Sequence, residues 1–276
     1  MSKLYKNIMT GILISQVSLP YKTVKGSFSQ RQNRSIQLVD KLYRNLIPQF
    51  KNGKLPFEKI QETIDSTLKK KIKINVKKTY SNEFDGFSDI VYSPISGCIT
   101  ATTLELSPIK NKIEYKDLIT IVHEFQHITD QLFHPKYLAR NQVMSNSGMY
   151  TNKYNKLYEN FIYAQENPTG KKDKQYILKK LEHKLNKFLR KMSVEDKINY
   201  LQDSIYTLKQ EEQAYYTQAK YAKIMNKKHL PINPQDLIKP NNSFMFHEKI
   251  VLMKKMAFDI IKAERKHHAL KLKQQN

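Results

Sequence analysis

The chain has 276 residues and a formal net charge of +23, with 39% aliphatic, aromatic and Cys residues and only seven Gly. That length can bury a real core, as one large domain or two small ones, and a lean apolar share with little Gly favours long charged helices. The single cysteine, Cys98, excludes an internal disulfide and a four-thiolate zinc site.

Residues 1–34 read as an N-terminal extension, with lysines before a mildly apolar run from Ile8 to Val17 that has the length of a secretory signal core. Thr10, Gly11, Ser15 and Gln16 interrupt that run, and no small-residue cleavage site follows it. The compartment is therefore not fixed: the cytoplasm is favoured, and secretion follows only if residues 1–20 act as a signal. No window approaches the roughly 20 apolar residues of a membrane span, so no transmembrane segment is expected.

From residue 35 onward a single domain is expected. Ser35 is a plausible N-cap for a helix with Ile36, Val39, Leu42, Tyr43 and Leu46 on one face, ending near Pro48. A second helix, about 56–69, starts with Pro in its first turn and carries Phe57, Ile60, Ile64 and Leu68 on its buried side. The period then changes to two, with Ile72, Ile74 and Val76 alternating against lysines as in a half-exposed strand. Two more strands, Asp89–Tyr92 and Ile99–Leu106, are joined by turn residues from Pro94 to Gly97. A helix over 114–134 follows, then a turn-rich loop at 135–151. Further helices are expected near 153–165, 173–192, 193–227 and 246–273, with Ser193 and Asp196 making an N-cap and Pro231, Pro234 and Pro240 marking the last break. The fold class is α+β and predominantly helical: a small three-stranded sheet, one helix directly after it, and a helical C-terminal half (152–276).

That central helix contains His123-Glu124-Phe125-Gln126-His127. Each helical residue advances about 100°, so the two imidazoles lie about 40° apart on one face and can bind one cation from the same side. Leu118, Ile121, Phe125, Ile128 and Leu132 fall on the opposite face and would anchor the helix. In a chain of this composition the spacing H-E-x-x-H arises by chance about once in a hundred sequences. Zinc takes neutral imidazole, and Glu124 stands where a general base for water is needed.

The pentapeptide resembles the H-E-x-x-H of zincin metallopeptidases, and the three strands before it resemble their upstream sheet, whose edge strand commonly holds extended substrate. The resemblance is specific over five residues and architectural over about 72–227. It implies a zinc peptidase, with Zn2+ as cofactor and a peptide or protein as substrate, and with Glu124 catalytic. Zincins divide by their third metal ligand. The metzincin continuation needs a glycine and a third His that residues 128–136 do not supply. The gluzincin branch takes a Glu from a later helix, often as E-x-x-A, and Glu211-Glu212-Gln213-Ala214 is similar to that arrangement. The resemblance is thus to compact gluzincins, of minigluzincin type, with His123, His127 and Glu211 as metal ligands.

Glu212 competes for the third position. Glu211 shares a face with Ser204, Thr207, Ala214 and Gln218, small or polar side chains that permit close approach of the helices; Glu212 falls in the stripe Leu201, Ile205, Leu208, Tyr215 and Ala219, where an unpaired carboxylate is costly. Family spacing favours Glu211. Asp130 lies about 20° from the histidine face and could orient a ligand from behind or be a plain surface carboxylate. His134 sits at the helix end, where capping is its ordinary role, and Tyr215 or Tyr216 could reach a developing oxyanion. The substrate strand is expected at 99–106 and a lid at 135–151. Ile95–Thr100 resembles the cysteine segment of peptide deformylases but lacks the acidic residues and the Gly-rich motif that go with it, and the adjacent pair His267-His268 diverges on a helix.

The charge supports a rival reading: a lysine-rich helical protein binding an anionic polymer or membrane, with an incidental or structural metal. Only six of the 48 basic residues are Arg, whereas base-reading and bidentate phosphate contacts prefer the Arg fork. Lysines are spread along every segment without aromatic interleaving, so no specific nucleic-acid recognition is expected; an acidic substrate or anionic surface remains open as a partner.

Overall fold

The computed structural model describes residues 28–68, 74–78, 86–93, 98–106, 112–133, 170–237 and 245–275. The expected signal-like segment, the turn at 94–97, His134, the lid at 135–151 and the helix at 153–165 lie outside the described residues.

The fold is α+β and mostly helical, as the periodicities indicate. Helix α1 (Phe28–Leu46) leads through a short 3-10 turn (Ile47–Gln49) to strand β1 (Lys54–Pro56) and helix α2 (Glu58–Thr67). Strands β2 (Asn75–Lys78), β3 (Gly86–Ser93) and β4 (Cys98–Leu106) form a sheet in the order β2-β4-β3, with β2 parallel and β3 antiparallel to β4. Strand β5 (Lys112–Glu114) pairs back with β1 and feeds directly into α3 (Tyr115–Phe133). Helices α4 (Lys171–Leu189), α5 (Val194–Lys227) and α6 (Phe246–Gln275) make up the C-terminal half, with a 3-10 turn at Pro234–Leu237 between the last two.

Local chemistry accounts for most of these boundaries. Ser193 Oγ accepts the Asp196 N–H at 3.1 Å, and Glu195 and Asp196 add negative charge to the first turn of α5. Val39, Leu42, Tyr43 and Leu46 are buried on one face of α1, as are Phe57, Ile60, Ile64 and Leu68 in and around α2. Pro56, expected in the first turn of α2, instead closes β1, and the β1–β5 ribbon was not expected at all; three residues per strand are too few to show a period.

Ser35 does not cap its helix. Helix α1 starts at Phe28, so Ser35 lies in its interior, fully buried, and its hydroxyl bonds across to α3 instead of capping. A serine can serve either end, and only the packing partner distinguishes a cap from a contact.

Two hydrophobic clusters hold the molecule together. The first joins α1, α2, the strands and α3 to the C-terminal end of α5 through Tyr221, Ala222 and Met225. The second joins α4 and α6 to the N-terminal half of α5 through Tyr200, Leu201, Ile205 and Leu208. Helix α5 has 34 residues and spans both. Its middle turns, around Glu211, sit where the two clusters meet, against α3.

Candidate metal centre

Helix α3 is enclosed on nearly every side. Leu118, Ile121, Phe125 and Ile128 are fully buried on the expected anchoring face, and Gln126, Thr129, Asp130 and both histidines are buried as well. The helix fits between α1, α5 and β3, so its polar residues meet polar partners in place of water, as buried polar groups must.

His123, His127 and Glu211 converge, each 8–9% exposed. The two Nε2 atoms are 3.2 Å apart; His127 Nε2 lies 3.4 Å from Glu211 Oε1, and His123 Nε2 lies 3.7 Å from Glu211 Oε2. Ligand atoms at about 2.0–2.1 Å around a tetrahedral cation stand about 3.3–3.4 Å from one another. The three side chains lie close to that spacing and could hold a divalent metal ion, two neutral nitrogens and one carboxylate being a donor set that suits such an ion. Glu212 lies outside this group and is half-buried, and its charge acts on Lys209.

Without a cation the same atoms form an ion pair. Burial alone would lower the His127 pKa, but the Glu211 carboxylate outweighs it and, helped by Glu124 and Asp130, raises it to about 9. Burial would raise Glu211, and the two imidazoles hold it far below the ordinary carboxylate range instead.

The surroundings define the rest of the site. Glu124 is half-buried beside the cluster, and Ser88 of β3 donates to its Oε2 at 2.8 Å. Gly86, two residues earlier on the same face of β3, lets the strand press against α3: a Cβ there would lie 2.6 Å from Thr120 Cγ2 and 3.1 Å from Glu124 Cγ. His123 Nδ1 lies 2.9 Å from Gln218 Oε1, and Gln218 Nε2 donates to Asp236 Oδ1 at 2.8 Å. The Tyr215 ring packs edge-on against His123, with centroids 4.7 Å apart. Burial and the charges of Glu211, Glu124 and Asp236 push its hydroxyl far above the ordinary phenol range, so it stays protonated. Tyr216 is 42% exposed.

Asp130 is neither a surface carboxylate nor hydrogen-bonded to a histidine. Its Oδ1 accepts from Ser35 at 2.6 Å and from Gln126 at 2.8 Å, and Gln126 Oε1 accepts from Thr217 of α5 at 3.0 Å. Burial raises the Asp130 pKa to about 6, against the lowering effects of Ser35, His127 and Gln126. The residue fastens α3 to α1.

Ser88, Gly86, Gln218 and Asp236 were not singled out as site residues from the sequence, although Gln218 had been placed on the Glu211 face. Its spacing of seven from Glu211, two helical turns, was the available signal. Nothing local marks Ser88 or Gly86, whose roles depend on how the sheet lies on α3. The expected substrate strand also changes: residues 103–106 of β4 pair on both sides, and the outer strand packed on α3 is β3. No family model, curated protein or solved structure matches the chain significantly.

Proposed function

We propose that this protein is a zinc-dependent metallopeptidase of gluzincin type. The observation that carries the reading is the convergence of His123, His127 and Glu211 at cation-ligand spacing, with Glu124 beside them. A zinc ion bound by these three residues would supply Lewis acidity, acidifying water and polarising a substrate carbonyl. Glu124 takes the proton from the attacking water and returns it to the leaving amine. Ser88 fixes the rotation of that carboxylate through Oε2, and Oε1 is the oxygen assigned to the water. The oxyanion donor is assigned to Tyr215, whose ring lies against His123 and whose hydroxyl stays protonated, in preference to Tyr216. An extended peptide would add along the outer edge of β3, whose one strand partner among the described residues is β4.

The test is zinc content and hydrolysis of a mixed peptide pool, measured on the wild type, Glu124→Gln and His127→Ala. One zinc per chain is expected in the first two, none in the third, and hydrolysis in the wild type alone. Equal zinc in wild type and His127→Ala would refute the ligand assignment, and full activity in Glu124→Gln would refute the base. The charge of +23 favours the rival, a polyanion-binding helical protein. It calls for steeply salt-dependent binding that Glu124→Gln leaves untouched, with no hydrolysis by the wild type.

A further inference from the structure

We infer that Gln218 and Asp236 are positioning residues that fix the tautomer of His123, so that its Nε2 presents a lone pair to the cation. The inference rests on the metal reading of the site. Donor and acceptor capacity orients the amide. An ionised carboxylate only accepts, so the Gln218 atom facing Asp236 Oδ1 at 2.8 Å is the amide nitrogen. The other end of the same amide is then its oxygen, which lies 2.9 Å from His123 Nδ1 and can only accept. Nδ1 therefore carries the proton, and Nε2 is left as the lone-pair nitrogen. That nitrogen is the one 3.2 Å from His127 Nε2 and 3.7 Å from Glu211 Oε2.

The chain of contacts joins separate parts of the sequence. Gln218 stands two turns after Glu211 on α5, so one helix face supplies both the carboxylate of the cluster and the group that aims His123. Asp236 comes from the 3-10 turn at Pro234–Leu237, which packs against α5. With the carboxylate gone, the amide is free to turn over, facing Nδ1 with its N–H groups and favouring the tautomer whose Nε2 is blocked by a proton. Outer partners of ligand histidines typically contribute about 10- to 100-fold in metal affinity.

The experiment uses the full chain and two readouts, the zinc dissociation constant by chelator competition and the 15N signals of the His123 ring in the metal-free protein in alkaline buffer. Gln218→Ala and Asp236→Ala are expected to weaken zinc binding by about 10-fold or more and to move proton density from Nδ1 toward Nε2. Gln218→Glu combined with Asp236→Asn reverses the direction of one hydrogen bond while keeping an acceptor at Nδ1, and is expected to restore both readouts. The double variant also separates a positioning role from a folding defect, because a merely structural loss at either position would not be rescued.

Stoichiometric zinc in the wild type, lost in His127→Ala, together with unchanged affinity and an unchanged Nδ1–H signal in both single variants, would overturn the tautomer assignment and leave the metal site standing. A wild type that takes up no zinc would overturn both. Weakened binding with no rescue in the double variant would overturn the relay as well.

Discussion

Replacing Gly86 by Ala puts a methyl group into the contact between β3 and α3. It would sit 2.6 Å from Thr120 Cγ2 and 3.1 Å from Glu124 Cγ, where carbon atoms rest about 3.5–4.0 Å apart. Strand and helix must part by roughly 1 Å there, and overpacking of this kind costs about 1–3 kcal/mol. The displaced side chain is that of the proposed base, and misplacing a catalytic group by about 1 Å costs about a hundredfold in rate. Urea unfolding gives the first magnitude and kcat on a peptide substrate the second. Thr120→Ser removes Cγ2, the nearer of the two carbon contacts, so the pair Gly86→Ala with Thr120→Ser is expected to recover most of the lost stability. A Gly86→Ala protein with stability within about 0.5 kcal/mol of wild type and undiminished turnover would refute the close contact between this strand and Glu124.

Four further outcomes are expected. Glu211→Ala should lose stoichiometric zinc while Glu212→Ala keeps it, as metal analysis of the purified proteins will show; loss in Glu212→Ala alone would reverse the assignment. Zinc must displace the proton that Glu211 holds on His127, so loading at neutral pH should release about one proton per ion, read with an indicator dye, and the release should vanish as pH rises through about 9. The sign for stability follows the same shift: the raised His127 pKa contributes stability to the metal-free protein that is complete below 6.5 and lost as pH rises through about 9. Asp130 has the opposite consequence from an ordinary carboxylate. Its pKa is raised from 3.8 to about 6, so the folded state holds the proton more tightly and the wild type loses stability relative to Asp130→Asn between those pH values, by on the order of 2–3 kcal/mol in urea unfolding. No change in that difference between pH 4 and pH 7 would show that the buried carboxylate does not titrate there.

Much of this protein was legible along the chain because it depends on short-range periodicity. The burial of Val39, Leu42 and Leu46, the length of α5 and the one-turn spacing of His123 and His127 follow from a repeat of 3.6 residues, and the Ser193 cap from a hydroxyl standing ahead of the first free N–H groups of α5. The resemblance to gluzincins narrowed the third member of the cluster to Glu211 or Glu212, adjacent positions that point about 100° apart on one helix.

The tertiary structure decided whatever depends on what faces what. The packing of α5 on α3 selected Glu211 and brought Gln218 against His123, and the order of the sheet put β4 between β2 and β3 among the described residues and set Ser88 on Glu124. The same holds for Ser35, which looked like a cap by its residue type and became a cross-helix contact because Asp130 lies opposite. Local pattern fixes which side of an element a residue occupies, whereas a site is made of sides from different elements, and their mutual orientation is set by packing contacts between residues about 90 positions apart.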